Sequence, residues 1–397
     1  MDKTLIQSES APILETIAGA LILAVGMGFG RFSFTGMYPL MVKEAVISVA
    51  GGSFAASANY AGYLIGALIA SRVDHRHSAR LCQLSMLGTL TCLLLLSLHL
   101  GTGFVVADRF VAGAMSAVSM VAASIWLFHV VGYHHGAPVL YAGVGLGIVV
   151  SAELIALGGT TGLSSTGLWV LLAVAAAILC SVAWSKVTGK TRIHAEEHCA
   201  SAGSTATSRS TIGPWILILI YGLAGFGYIV TATYLPLLVR SALPHTDPVH
   251  VWAVFGLGAA PSCFLWHWLH NKLGTRVAMS INLIVQAVGV VLPVVDPTAL
   301  AFLGSAVLVG GTFMGTVTIL MSAAKRVAHH VRFNLMGTLT TAFGTGQILG
   351  PLVANQLFAH TQSFNQPLMV AGAALVIAAL ACFVQSTQNV NRDRRRA

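Results

Sequence analysis

Three charged side chains lie within long apolar stretches of this sequence: Arg31, Arg109 and Glu153. A charge at the centre of a membrane helix costs roughly 2.5–3.5 kcal/mol on insertion scales, so such residues commonly mark a ligand site or an ion pathway. A buried guanidinium can bind a carboxylate through two parallel hydrogen bonds, which a lysine cannot reproduce. A buried carboxyl group can carry a proton. These residue types therefore predict anion binding and proton transfer in apolar surroundings.

Hydroxyl and aromatic groups accompany the first of these charges. Helical spacing places Thr35 and Tyr38 on the same face as Arg31. Tyr221 and Tyr228 lie one heptad apart on one stripe of a later apolar stretch. A cation beside such groups suits a small organic anion with an apolar or planar body. The predicted ligand-binding residues are Arg31, Thr35, Tyr38, Tyr221, Tyr228 and Gln347.

Each assignment has a structural alternative. Arg31 and Glu153 both lie about fifteen residues from the same end of their apolar stretches, which at ~1.5 Å rise per residue gives both a depth of ~22 Å. They could form a structural ion pair, or at least one of them could face a water-filled cavity. The tyrosines could serve packing or an interface belt. Gln347 could hydrogen-bond a neighbouring helix instead of a ligand.

The candidates for proton transfer are Glu153, Asp108 and Arg109. Glu153 is the only acid deep in an apolar stretch. Its protonation would release Arg31 for an anion, and its deprotonation would recapture Arg31 in another conformation. Asp108 is the next candidate, although it could instead cap its helix or pair locally with Arg109.

The composition requires lipid as the solvent. Of the 397 residues, 56% are hydrophobic and 8% are charged, whereas a soluble domain carries roughly 25% charged residues. The six cysteines are scattered singly, without the spacing of a zinc site or a disulfide framework. The sequence contains no GxxxxGKS/T motif for nucleotide binding. We therefore predict no cofactor, no metal and no enzymatic activity.

Apolar stretches of about 20 residues, the length that crosses a bilayer, divide the sequence into twelve predicted membrane helices. Six spans form an N-terminal bundle (1–186), a Ser/Thr-rich cytoplasmic linker follows (187–212), and six spans form a C-terminal bundle with a basic tail (213–397). The predicted spans are 16–42, 51–71, 81–99, 104–131, 138–158, 166–186, 213–240, 250–270, 277–295, 298–323, 334–358 and 367–385.

The positions of the basic residues predict the orientation, because lysine and arginine are enriched in cytoplasmic loops. With both termini inside, all but four of the 21 basic residues fall in cytoplasmic segments, and the exceptions are Arg31, Lys43, Arg109 and Arg240. We predict a multi-pass protein of the cell inner (plasma) membrane with both termini in the cytoplasm. The C-terminal arginines are expected to contact anionic lipid rather than nucleic acid.

The two halves repeat each other in sequence. GFGRFSFTGMYPLMV (28–42) matches GFGYIVTATYLPLLV (225–239) at six of fifteen positions without a gap. The same offset of 197 aligns Asp74 with Asn271 and Gly113 with Gly310, and an offset of 199 aligns 145–153 with 344–352. Halves related as parallel repeats place a binding site at their interface near the middle of the membrane.

The connection after the eighth predicted span resembles the cytoplasmic loop signature of the major facilitator superfamily of transporters. The matching residues are Asn271, Lys272, Leu273, Gly274 and Arg276, and a looser copy after the second span has Asp74, Arg76 and Arg80. In that family the loop acts as a hinge and charge latch, so the resemblance implies gating by Asp74, Asn271 and Arg276. An ordinary basic loop is the alternative for the first half, where the glycine is missing.

Further segments narrow the resemblance. Arg109 and Gly113 resemble an Arg-x-x-x-Gly signature that places a cation in the outer part of the transport path. The segments 28–41, 310–321 and 344–351 are similar to those of the YbfB/YjiJ branch, a group mostly lacking an assigned substrate. The fifth span carries Gly147 and Ile148 where drug/proton antiporters have a Gly-Pro pair, which counts against a simple efflux pump.

The resemblance implies an all-α membrane protein of twelve helices in two six-helix repeats. It also implies secondary active transport of a small organic solute by alternating access, with coupling to protons, and the cation at Arg31 favours an organic anion. The alternatives are a multidrug or metabolite efflux antiporter and a nontransporting membrane sensor or scaffold. The expected partners are a small-molecule substrate, protons and the lipid bilayer, without nucleic acid, and we expect a monomer.

Overall fold

A computed structural model describes residues 3–187, 212–243, 247–327, 331 and 334–383. Twelve long helices occupy these residues, and no strand occurs among them. The helices are Pro12–Lys43 (α1, helical from Lys3), Val49–Ala70 (α2), His75–Leu96 (α3), Thr102–Val130 (α4), Ala137–Thr160 (α5), Ser165–Val187 (α6), Pro214–Ala242 (α7), Pro248–Leu273 (α8), Thr275–Val295 (α9), Ala299–Val327 (α10), Leu335–Thr361 (α11) and Asn365–Ala381 (α12).

The prediction of twelve membrane helices is confirmed, since each predicted span overlaps one of these helices. Ten helices are long and apolar enough to cross a membrane, and α12 is a shorter apolar helix. The chain is therefore a multi-pass membrane protein. The interior of the predicted linker and the basic tail beyond Phe383 lie outside the described residues.

Equivalent close contacts reveal the two repeats. A Cβ atom added at Gly113 of α4 would contact the backbone of α2, and one at Gly310 of α10 would contact the backbone of α8. In the same way, Gly147 of α5 lies against the backbone of α1, and Gly346 of α11 lies against that of α7. Small residues permit such close approach of membrane helices. The predicted pair of six-helix repeats is confirmed.

The halves meet along α5 with α8 and along α2 with α11, while α1 also packs on α7. We call the side where α6 ends at Val187 and α7 begins at Pro214 the linker face, and the other side the opposite face. A cavity of about 860 Å³ separates the halves and extends from Arg31 to Ser71 and Asn334 near the linker face. On the opposite face the halves are in direct contact.

Candidate functional site

The inner end of the cavity contains four of the six predicted ligand-binding residues. Arg31 of α1 lines it from the first half, and Tyr221, Tyr228 and Gln347 line it from the second half. Arg31 and Gln347 are 4% and 1% exposed, so both polar groups lie in a nearly dry part of the cavity. The structure thus brings together residues that are far apart in the sequence.

Aromatic rings surround the guanidinium of Arg31. Its Cζ atom lies 4.1 Å from the ring centroid of Tyr63, 5.0 Å from that of Tyr60 and 5.3 Å from that of Phe32. Cation–π contacts of this kind contribute about 0.5–2 kcal/mol each. Among the described residues, the buried Nε atom has no hydrogen-bond partner and the guanidinium forms no ion pair. The positive charge therefore remains available to an anion.

An irregular segment of α1 presents this arginine. Residues Ala24–Phe32 form a π-helix, in which hydrogen bonds span one more residue than in an α-helix. Side chains of other helices bind its carbonyl groups, as where Ser116 Oγ donates to Gly26 O at 2.6 Å. The irregular backbone is thus supported by hydrogen bonds from outside its own helix.

Arg109 of α4 supports the same segment directly at Arg31. Its Nη1 donates to Gly30 O at 2.7 Å and its Nη2 donates to Arg31 O at 2.8 Å. Across the interface, Trp252 Nε1 of α8 donates to Phe32 O at 3.1 Å. Arg109 lies behind the cavity rather than in its lining. Its observed contacts therefore position the backbone of Arg31.

A stack of aromatic rings forms the facing wall. The ring of Tyr228 lies between those of Phe313 and Phe343, with centroid separations of 5.5 and 5.7 Å, and Tyr221 stacks on Phe343 at 4.2 Å. Gln347 Nε2 donates a hydrogen bond to the Tyr228 hydroxyl. Among the described residues, Gln347 Oε1 has no hydrogen-bond partner. This wall combines a flat apolar surface with a buried acceptor.

The other two predicted ligand-binding residues lie in the packed region on the opposite face. Thr35 Oγ1 donates to Ala232 O of α7 at 3.1 Å, and the Tyr38 hydroxyl donates to Val49 O at 2.6 Å. Neither lines the cavity. Thr35 and Tyr38 follow Arg31 by four and seven residues, about 6 and 10 Å further along α1 toward the opposite face, so they lie past the inner end of the cavity.

Hydrogen bonds between the halves close this region, which we call the seal. Tyr60 OH and Thr233 Oγ1 are 3.0 Å apart, and the Tyr234 hydroxyl donates to Ser53 Oγ at 2.6 Å. The residues of the seal are Thr35, Ser53, Ser57, Tyr60, Ala232, Thr233, Tyr234, Trp252 and Ile348. Opening the opposite face would have to break these contacts.

Glu153 forms no pair with Arg31. Its Oε1 atom lies 3.2 Å from Nδ1 of His250 in α8, and the two side chains are 51% and 58% exposed. The neighbouring Ser151 hydrogen-bonds Gly28 O, so the depth expected for Glu153 agrees with its place in α5. Its side chain, however, points away from the cavity lining. Glu153 therefore bridges the halves beside the seal, and its proton-coupling role stays a prediction.

Asp108 is more deeply enclosed. It is 5% exposed and lies next to Arg109 in α4, with Cys92 of α3 as a neighbour. Apart from the weak donor of the Cys92 thiol, neither carboxyl oxygen has a hydrogen-bond partner among the described residues. An ionised carboxylate with so little hydrogen bonding is costly to bury. This acid adjoins the arginine that holds the backbone of Arg31.

Two of the three predicted gating residues, Asp74 and Asn271, make local contacts at the linker face. Asp74 Oδ1 accepts a hydrogen bond from the backbone N–H of Arg76 at 2.9 Å, which lowers the pKa of the Asp74 carboxyl below its usual value. Asn271 Nδ2 lies 3.2 Å from His267 Nε2, and Arg276 is in the first turn of α9. The latch between helices therefore stays a prediction.

Several aromatic residues of the site were missed in the sequence. Phe313 and Phe343 look like ordinary core residues of apolar helices, and no local pattern distinguishes them. Tyr60 and Tyr63 had a detectable signal, because two tyrosines three positions apart share one face of a membrane helix.

Comparisons with known proteins agree with this architecture. A family whose description is "Uncharacterised MFS-type transporter YbfB" matches residues 23–383. The crystal structure of a mutant of the nucleoside transporter NupG covers 93% of this chain and 98% of its own chain, with a TM-score of 0.68 and 12% sequence identity. At that identity the likeness shows the fold alone. A comparison with curated proteins finds no match.

Proposed function

Because this chain belongs to the YbfB-like family of major facilitator superfamily transporters, we propose that it moves a small organic anion across the membrane by alternating access. The observation that carries the proposal is the guanidinium of Arg31, which lines the cavity without an ion-pair partner among the described residues. The described lining contains no Asp or Glu. A carboxylate entering this cavity would gain two parallel hydrogen bonds from Arg31.

The body of the substrate is inferred from the facing wall. Tyr228, Phe313 and Phe343 present stacked rings opposite Arg31. Aromatic rings favour offset or edge contacts with other rings, worth about 0.5–1.5 kcal/mol beyond the buried area. A planar or aromatic carboxylate would use both walls at once, whereas a polar sugar would bury hydroxyl groups against the rings. We therefore infer a planar organic acid.

The proposed transport cycle is inferred from the cavity, which reaches the linker face, and from the seal, which closes the opposite face. In this conformation a substrate would enter from the linker face, and release on the other side requires the seal to open while the cavity closes. We infer that the linker face is cytoplasmic, in a cell inner (plasma) membrane, because the basic connections lie there. Asp108 is the favoured proton carrier, since it adjoins Arg109 and is largely removed from water.

A broad-specificity exporter is the second candidate. Five methionines line the cavity, namely Met27, Met120, Met314, Met321 and Met336. Methionine side chains are flexible and polarizable, and they occur often at binding surfaces that accept varied ligands. Such a protein would bind many unrelated apolar compounds in competition with one another. The charge at Arg31 favours the organic-anion transporter over this candidate.

A binding screen separates the candidates. The purified full chain is heated with aromatic carboxylates, their neutral amides, quaternary ammonium ions and sugars, and thermal stabilisation is measured. We expect carboxylates to stabilise the protein and their matched amides to have little effect. Equal stabilisation by carboxylates, amides and quaternary ammonium ions would favour the exporter, and stabilisation by cations or sugars alone would contradict an anion site.

A further inference from the structure

Two buried polar atoms of opposite hydrogen-bonding character, both without partners among the described residues, belong to side chains that line the same cavity. Arg31 Nε is a donor, and Gln347 Oε1 is an acceptor; neither has a partner within the described part of the chain. Buried polar groups in native proteins are nearly always hydrogen-bonded, so an unpaired one calls for a ligand or water. Here the unpaired donor lies in one half and the unpaired acceptor in the other.

The amide of Gln347 is fixed by its neighbour. Its Nε2 atom donates to the hydroxyl of Tyr228, whose ring is held between Phe313 and Phe343. With one N–H of the amide engaged there, the amide oxygen, unpaired among the described residues, can accept a hydrogen bond from another molecule. Tyr228 occupies the position in the second half that Arg31 occupies in the first, so the two groups lie at equivalent levels of the two halves.

We propose that the substrate carries a hydrogen-bond donor, a hydroxyl or amino group, on the planar body at some distance from its acid group. The acid binds Arg31 in the first half, and the donor binds Gln347 Oε1 in the second half. This inference rests on the proposed function and narrows it to hydroxy- or amino-substituted planar acids. Gln347 is then a specificity-determining residue.

A molecule with both groups would connect the two halves. A planar acid without the donor would bind Arg31 and the rings but leave Gln347 Oε1 unpaired in the absence of water. Sites built around a hydrogen bond discriminate strongly against analogues that lack the partner, because a buried polar group is left unsatisfied. The donor is therefore expected to improve affinity and to favour movement of the halves toward each other around the substrate.

The test uses five probes with the same acid group: benzoate, 3- and 4-hydroxybenzoate, and 3- and 4-methoxybenzoate. Binding to the purified full chain is measured by calorimetry. We expect at least one hydroxybenzoate to bind about tenfold or more tightly than benzoate. The corresponding methoxybenzoate, which can only accept a hydrogen bond, is expected to bind no better than benzoate.

Substitutions assign the preference to one residue. Gln347→Leu is expected to abolish the difference in affinity between hydroxybenzoate and benzoate, so that the ratio of their dissociation constants falls to about one. Gln286→Leu is the matched control, because Gln286 is buried in α9 but does not line the cavity. It should retain the preference. If Gln347→Leu fails to fold, Gln347→Met serves instead, because it keeps a similar side-chain length without the amide acceptor and should likewise abolish the preference.

The outcomes separate this inference from the proposed function. If all the benzoates bind equally and Arg31→Lys weakens them all, the anion site stands and the donor requirement is overturned. Tighter binding of methoxybenzoates also overturns it, since the amide would then present its N–H groups. If no benzoate binds at all, the proposed planar organic acid is itself contradicted.

Discussion

The two walls of the cavity are built on equivalent helices but have different chemistry. Arg31 of α1 and Tyr228 of α7 occupy matching positions of the repeat, and one is a cation while the other is a neutral phenol. The same offset of 197 places Ala306 where Arg109 stands and Ser305 where Asp108 stands. The first half therefore supplies the charges, and the second half supplies the stacked rings of the facing wall and a neutral amide.

This difference extends to the backbone. α1 contains the π-helical segment Ala24–Phe32, whereas α7 is a continuous α-helix over Pro214–Ala242. Arg109 donates to two carbonyl groups of the irregular segment, and an alanine at the equivalent position could not do so. Two repeats of the same fold can thus contain a regular helix, α7, and an irregular equivalent, α1. The long side chain of Arg109 supports the irregular helix through its hydrogen bonds.

The largest expected effect comes from removing that support. Arg109→Ala should lower stability by about 3–6 kcal/mol, since it deletes two hydrogen bonds from a charged group worth about 1.5–3 kcal/mol each. The Arg109→Ala variant should also lose transport, because the hydrogen bonds that position the backbone of Arg31 are absent. Thermal unfolding of the purified protein measures the first effect. Arg240→Ala, at the end of α7, is the control, and equal unfolding temperatures for both variants would contradict the assigned role of Arg109.

The next effect tests the close helix contacts that the two halves have in common, at the equivalent glycines Gly113 and Gly310. Gly113→Ala and Gly310→Ala should each destabilise the protein by about 1–3 kcal/mol, because the added methyl group meets the backbone of a neighbouring helix. Gly103→Ala and Gly311→Ala are matched controls in the same two helices, where a methyl group has space. Thermal unfolding should rank both controls above both test variants. A large effect in one half only would mean that the repeats pack differently.

The repeated scaffold was predictable from the sequence, and the rotation of side chains was not. The helices could be predicted because each apolar stretch is visible in the local sequence. The correspondence between helices of the two halves could be predicted because the halves align with each other at an offset of 197. A charge or amide in an apolar helix is conspicuous, which is why Arg31 and Gln347 were found. The position of Glu153 along its helix axis could also be predicted from the sequence. The orientation of its side chain could not, because that depends on which helices pack around α5.

Thr35 lies outside the cavity because it is one helical turn beyond Arg31, about 6 Å closer to the opposite face, where the halves are in contact. The π-helical segment before Thr35 accepts hydrogen bonds from Arg109 and Ser116, more than 70 residues away in the chain. Long-range partners of this kind leave no signature within the segment that they deform.

A smaller effect distinguishes contacts within one half from contacts between halves. Tyr234→Phe removes a hydroxyl that bonds Ser53 of the first half, whereas Tyr38→Phe removes one that bonds Val49 within its own half. Each loss costs about 0.5–1.5 kcal/mol. We expect only Tyr234→Phe to increase the population with an open opposite face.

Spin labels at the equivalent positions Lys43 and Arg240, at the opposite-face ends of α1 and α7, report that opening as a longer distance. Tyr38→Phe serves as the matched control and should leave the distance distribution unchanged. Identical distributions for the two variants would show that the seal does not hold the halves together through Tyr234.

The smallest effect concerns the exposed pair of Glu153 and His250. Glu153→Gln keeps an oxygen that can accept a hydrogen bond from His250, so stability should change little. Because Glu153 does not line the cavity, the variant should keep driven accumulation of substrate in liposomes with a proton gradient. Asp108→Asn should lose driven accumulation while retaining exchange without a gradient. The reverse pattern would return the coupling role to Glu153.

The most direct test of the account is anion uptake into liposomes by Arg31→Lys, which keeps the positive charge but not the forked donor geometry. The substrate is the carboxylate that stabilises the wild-type protein most strongly, and Arg240→Lys is the control. We predict saturable uptake by the wild type and the control, and about tenfold or greater loss of uptake efficiency in a folded Arg31→Lys variant. Uptake by Arg31→Lys at the wild-type rate would contradict the claim that Arg31 binds the transported anion.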